Sequence, residues 1–161
     1  MPLALGQHSV VELYDCDPLL LASVENVQGV LVRAAKQCKA TIVQVVFHEF
    51  NPYGVSGMVI IAESHLAIHT WPEFRYAAVD IFTCGERLMP SRAAAYIAQQ
   101  FESAWWQVYK LPRGRFDHEK QPIRTEMPFV LEDQSEYEDI EAVRPKNLLP
   151  FGKRESKYAK L

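Results

Sequence analysis

The stretch MVIIAESHLAIHTWPEFRYAAVDIF, Met58–Phe82, decides the fold class of this 161-residue chain. Three runs within it, Met58–Ala62, His65–His69 and Tyr76–Phe82, are short and dense in apolar residues, several of them β-branched, which predicts strands. Met58–Ala62 carries apolar residues on both alternations. The connections are brief: Glu63 and Ser64 join the first two runs, and the turn-like Thr70-Trp-Pro-Glu-Phe-Arg75 joins the second pair.

Working outward, His8–Tyr14 (HSVVELY) reads as a further strand. Asp17-Pro18 then supplies a helix start, an aspartate cap followed by a proline whose missing N–H costs nothing in the first turn. Leu20, Val24, Val27, Leu31, Ala34 and Cys38 recur at spacings of four and three. That is one apolar stripe on a single helix of about five turns, with Cys38 as a core residue. Thr41–Phe47 (TIVQVVF) reads as a strand and Asn51-Pro-Tyr-Gly54 as a loop. Downstream, Pro90-Ser91 opens a second helix with Ala94, Ile97 and Phe101 inward, and Trp105–Leu111 (WWQVYKL) returns to the sheet. The expected fold is an α+β two-layer sandwich, an antiparallel sheet with helices packed on one face. Residues 1–117 form the expected domain. Residues 118–161, with the acidic run Glu132–Glu141 and the basic end Lys153–Lys160, read as a surface or partly disordered extension.

Composition narrows the classes. Hydrophobic residues make up 48% and charged residues 23%, as in soluble globular proteins. A formal charge of −3 leaves no basic footprint for nucleic acid. No apolar run approaches the roughly 20 residues that span a bilayer. Without a visible secretory signal, the cytoplasm is the expected location. Cys16, Cys38 and Cys84 are odd in number and form no C-x-x-C pair, which argues against a disulfide framework and a structural zinc site.

The junction at Glu63-Ser64-His65 is unusual, because no Gly, Pro or Asn relaxes the turn. Two readings stay open: an ordinary hairpin turn, or a serine nucleophile held against its own preceding carbonyl. His65 and His69 share a strand face, yet their Cα atoms would lie about 13 Å apart, too far to share one zinc. Gly54-Val-Ser56-Gly57 resembles half of a hydrolase elbow but opens a strand, so a serine hydrolase is not expected.

NPYGVSG (Asn51–Gly57) and ESHLAIHTWPEFRYAAVDIFTCG (Glu63–Gly85) resemble the prokaryotic S-adenosylmethionine decarboxylase proenzyme family. The resemblance extends back through GQHSVVELYDCD (Gly6–Asp17) and ATIVQVVFHEF (Ala40–Phe50). It covers most of the first 117 residues. It implies self-cleavage between Glu63 and Ser64 into a β chain, Met1–Glu63, and an α chain whose first residue, former Ser64, becomes a pyruvoyl group. That ketone would hold substrate as a Schiff base and act as electron sink, the task of pyridoxal phosphate elsewhere.

By the same resemblance His69 assists processing, Ser56 supports that step, and Cys84 is the proton donor of turnover. Phe50 stacks on adenine and Glu73 binds the ribose hydroxyls, with Leu66 beside them. The implied reaction is decarboxylation of S-adenosylmethionine to the aminopropyl donor of polyamine biosynthesis, by a homo-oligomer of at least two chains. Two features depart from the family pattern: Arg75 stands where many relatives carry glycine, and Arg87-Leu-Met-Pro-Ser-Arg92 replaces an acidic helix start. A guanidinium at Arg75 is either solvated or holds a carboxylate. The latter keeps open an alternative substrate, ornithine or arginine, on the same scaffold. A non-catalytic regulatory homologue is the reading from another class.

Overall fold

The computed structural model describes residues 3–84, 87–123 and 130–131. Its strands are β1 (Leu3–Tyr14), β2 (Ile42–Glu49), β3 (Val55–Ile61), β4 (Ser64–Trp71), β5 (Tyr76–Thr83), β6 (Trp105–Phe116) and the two-residue β7 (Val130–Leu131). They form one sheet in the order β2-β3-β4-β5-β1-β6-β7, and every pairing is antiparallel. The expected α+β sandwich is observed. Each predicted strand is present, extended by a few residues where the sheet continues past the apolar run.

Helices α1 (Pro18–Ala22), α2 (Val24–Gln37) and α3 (Pro90–Gln100) lie on one face of this sheet. Between the two layers sits the core: Val11, Leu13, Val59, Leu66, Val79 and Ile81 from the strands meet Val27, Leu31, Ala34, Ile97 and Phe101 from the helical side. Strand alternation leaves the other face open, so Met58 and Ile60 on β3 point away from the helices.

The single five-turn helix is corrected to two. Ser23 interrupts it with an extended backbone (φ −92°, ψ 120°), and its hydroxyl accepts the Asn26 N–H at 3.2 Å. A serine gains more as a cap than inside a helix, where its hydroxyl competes with the backbone. The break turns α1 so that Leu21, rather than Leu20, is the fully buried residue. Asp17 caps α1 as expected, accepting the Leu19 N–H at 2.8 Å.

Asp117 opens a turn that returns Pro122 to bridge Phe116, and β7 pairs with β6. Most of the 118–161 extension, including its acidic and basic runs, lies outside the described residues. No helix among the described residues is long and apolar enough to cross a membrane.

Candidate active site

Ala62 and Glu63 form the two-residue turn between β3 and β4, closed by the Ile61–Ser64 pair. Three hydrogen bonds fix it: the Ala62 N–H donates to the Thr41 carbonyl at 2.8 Å, the Thr41 N–H to Glu63 Oε2 at 3.2 Å, and the Cys84 N–H to the Glu63 carbonyl at 2.9 Å. Ser64, the next residue, has φ 139°. Side chains rarely adopt that region, and a residue held there costs of the order of 1–3 kcal/mol unless its surroundings impose it. The junction is a tight turn whose last residue is strained beside a carbonyl already engaged by a donor.

Cys84 follows β5 directly and is exposed, whereas Cys16 and Cys38 are buried. Burial pushes the Cys16 thiol up to about 12 and raises that of Cys38. Both behave as core residues. Among the described residues no group of His, Cys, Asp and Glu could hold a metal ion.

A second set of candidates gathers at the far end of β4. His69 faces Ser56 across the β3–β4 pair, and Ser56 Oγ is hydrogen-bonded to His69 Nδ1. Phe50, just past β2, sets its ring 5.8 Å from His69 between centroids. Glu73 is exposed on the 3-10 turn Pro72–Phe74 that ends β4. Two glycines shape this end. Gly54 has φ 98°, and a Cβ there would lie 2.7 Å from the Thr70 carbonyl; a Cβ at Gly57 would meet the Phe47 ring at 1.9 Å.

Ser64, Glu63 and Cys84 are thus together, as are Ser56, His69 and Phe50, but the two groups are apart. Ser64 and His69 lie five residues apart on one strand, about 16 Å at the usual rise. Leu66 is on the buried face with no exposed surface, so its side chain lies across the sheet from both groups.

The open face also carries residues that the sequence motifs did not single out. An aromatic band runs from His69 through Trp71 (4.0 Å) and Tyr76 (5.3 Å) to Tyr14 (5.2 Å) and Trp105 (4.0 Å). Glu12 accepts the Tyr76 hydroxyl, and burial followed by that bond raises the phenol's pKa. Nearer Ser64, His8 Nε2 meets Asp80 Oδ1 at 2.9 Å while Arg113 Nη1 reaches His8 Nδ1 at 3.1 Å. Period-two alternation could have placed all of these on one face. Only the strand order makes them neighbours. Arg75, with φ 54°, brings Nε no closer than 3.9 Å to Asp15 Oδ1, and both side chains are well exposed.

Comparison with known proteins converges. The family model for S-adenosylmethionine decarboxylase matches residues 7–114. The S-adenosylmethionine decarboxylase proenzyme of Thermodesulfovibrio yellowstonii is 51% identical over 120 residues, 74% of this chain and 89% of that protein. That of Moorella thermoacetica is 49% identical over 111 residues, 69% of this chain and 89% of its own length. Among solved structures, the adenosylmethionine decarboxylase of Aquifex aeolicus superposes with a TM-score of 0.67 at 33% identity, covering 73% of this chain and 98% of the other.

Proposed function

The chain belongs to the S-adenosylmethionine decarboxylase family, and from that premise we propose that it cuts itself at Glu63-Ser64 and decarboxylates S-adenosylmethionine for polyamine biosynthesis in the cytoplasm. The observation that carries this reading is the turn itself: Ser64 at φ 139° beside a Glu63 carbonyl that accepts the Cys84 N–H at 2.9 Å. A peptide carbonyl resists attack by a hydroxyl, so catalysis must come from positioning and from a donor aimed at the oxygen where charge develops. Both are present. The residues fit the pyruvoyl group, because Ser64 Oγ needs only to close a five-membered ring onto the Glu63 carbonyl carbon to begin making it.

Attack converts the amide into an ester. Loss of the Ser64 Cα proton expels the Glu63 carboxylate and leaves dehydroalanine, which water converts to the ketone with release of ammonia. His69 is assigned to that proton, with Ser56 holding its ring. Within one chain His69 lies about 16 Å from Ser64, too far to reach that proton. A second copy packed on the open face, related by a two-fold axis, would set the partner subunit's His69 against Ser64. Its Phe50 and Glu73 would arrive with it, as a stacking surface for adenine and acceptors for the ribose hydroxyls. Exposed Val46, Met58, Phe50 and Trp105 suit such a cover. The working enzyme is then a homo-oligomer of at least two chains, with each site shared.

Once formed, the pyruvoyl group supplies the electron sink for decarboxylation. The Cys84 side chain, one residue past the Thr83 that pairs with Ser64, would return a proton to the carbon that lost carbon dioxide. The Phe50 face suits a stacked adenine, which ornithine and arginine lack. Arg75 lies against its own chain's Asp15, the weak exposed pairing of a solvated guanidinium, so it offers no specific grip on an amino-acid carboxylate.

The test is an intact-mass measurement with a release assay. Two fragments are expected, Met1–Glu63 and a keto-blocked chain from position 64, with carbon dioxide released from S-adenosylmethionine but not from ornithine or arginine. Ser64→Ala should stay full length. A wild-type chain that stays full length on prolonged incubation removes the electron acceptor and with it the reading.

A further inference from the structure

Forming the ester requires a proton acceptor. The Ser64 hydroxyl must lose its hydrogen as oxygen bonds to the Glu63 carbonyl carbon, and an unassisted hydroxyl is a weak nucleophile at neutral pH. Within the chain His69 sits at the other end of β4, occupied by Ser56. The imidazole beside Ser64 is that of the next residue: His65 Nδ1 lies 3.2 Å from Ser64 Oγ.

Consecutive residues of a regular strand point to opposite faces. The φ of 139° at Ser64 breaks that alternation and accounts for the meeting of the two side chains. The His65 ring is then held by its neighbours, half-buried with its centroid 5.8 Å from that of Phe82 on β5 and opposite Ile60 on β3.

We propose that His65 is the general base of the first processing step, a role distinct from that of His69 and resting on the self-cleavage reading above. His65 Nδ1 takes the Ser64 hydroxyl proton while Oγ bonds to the Glu63 carbonyl carbon. The carbonyl oxygen carries the negative charge against the Cys84 N–H. The imidazolium then gives that proton to the Ser64 nitrogen, the C–N bond breaks, and the carbonyl reforms as an ester. The step consumes no other reactant and returns His65 neutral. His69 is left for the later Cα proton.

The surroundings keep the base available. The charged and titratable groups facing His65 are His8 from β1, backed by Arg113 from β6, and Asp80 from β5; β3 presents Ile60. Burial first, and His8 second, push the His65 pKa below the usual imidazole value, with Asp80 opposing. A lowered pKa leaves the ring unprotonated to lower pH than an ordinary histidine. Ester formation by the wild type is therefore expected to fall away at a lower pH than an ordinary histidine base would dictate.

The experiment follows newly made proenzyme from cell-free synthesis by denaturing gel, with hydroxylamine added to split any ester. His65→Gln and His65→Ala should cut on the order of 10²-fold more slowly, the lower range for general-base catalysis, and accumulate no hydroxylamine-sensitive species. Added imidazole should speed His65→Ala, which a purely structural role would not allow. His69→Ala, by contrast, should stall as the ester and be split by hydroxylamine. Wild-type rates in the His65 variants, failure of imidazole to speed His65→Ala, or stalling of those variants at the ester would each overturn the assignment. A wild-type chain that never cuts would instead sink the self-cleavage reading beneath it.

Discussion

Cys84 contributes two different groups at one position. Its N–H holds the carbonyl that Ser64 would attack, and its exposed thiol is free to serve turnover. Cys84→Ala keeps the N–H and removes only the thiol. It is expected to cut normally yet lose activity on S-adenosylmethionine by a factor on the order of 10²; full turnover in a carbon dioxide release assay would remove the thiol from the mechanism. A thiol reagent should modify Cys84 in the native protein well before Cys16, whose pKa burial pushes to about 12, or the buried Cys38. The sequence motif singled out Cys84 as proton donor, but the use of its backbone depends on where β5 ends beside the β3–β4 turn. That is a matter of sheet register, invisible in the order of residues.

Elements with strong local signals were legible, and the exceptions have local causes. The stripe from Leu20 to Cys38 was real, but its periodicity could not show that Ser23 would leave the helix to cap the next one. Gly54 and Gly57, whose spacing resembles half of a hydrolase elbow that the sequence reading set aside, admit a left-handed turn and the Phe47 ring. Arg75 closes the turn after β4 at φ 54°, where glycine fits without strain. A non-glycine residue there costs about 1–2 kcal/mol, partly offset by the greater unfolded-state freedom of glycine. Its exposed contact with Asp15 adds little. Arg75→Gly, made in an uncut Ser64→Ala background, should therefore gain roughly 0.5–1 kcal/mol of stability by denaturant midpoint. A loss would mean that the guanidinium holds more than Asp15.

At the scale of the whole molecule, one strand separates Ser64 from His69, and folding a single chain cannot close that distance. The reading of a shared site makes an unusual demand: two chains, each inactive in processing, should complement one another. Ser64→Ala supplies an intact His69, and His69→Ala supplies an intact Ser64. Co-expressed with distinguishable tags, the pair should cut the His69→Ala chain, although neither variant is cut when made alone. Persistence of both full-length chains in an isolated mixed oligomer would show that His69 acts within its own subunit and by another route.

By themselves the residues determined the strands, the starts of the first and last helices, the layer arrangement and the identity of the chemistry. Those depend on neighbours close in sequence: β-branched runs, a capping aspartate before proline, and a contiguous motif around Ser64. Tertiary structure alone decided which of the named residues meet. Glu63, Ser64 and Cys84 gather because β5 ends beside a turn. His69 and Phe50 gather elsewhere because each strand residue advances about 3.3 Å. His65 reaches Ser64 because one backbone angle departs from the strand. Local propensity is written residue by residue, whereas proximity across a sheet depends on register and strand order, which no single segment encodes.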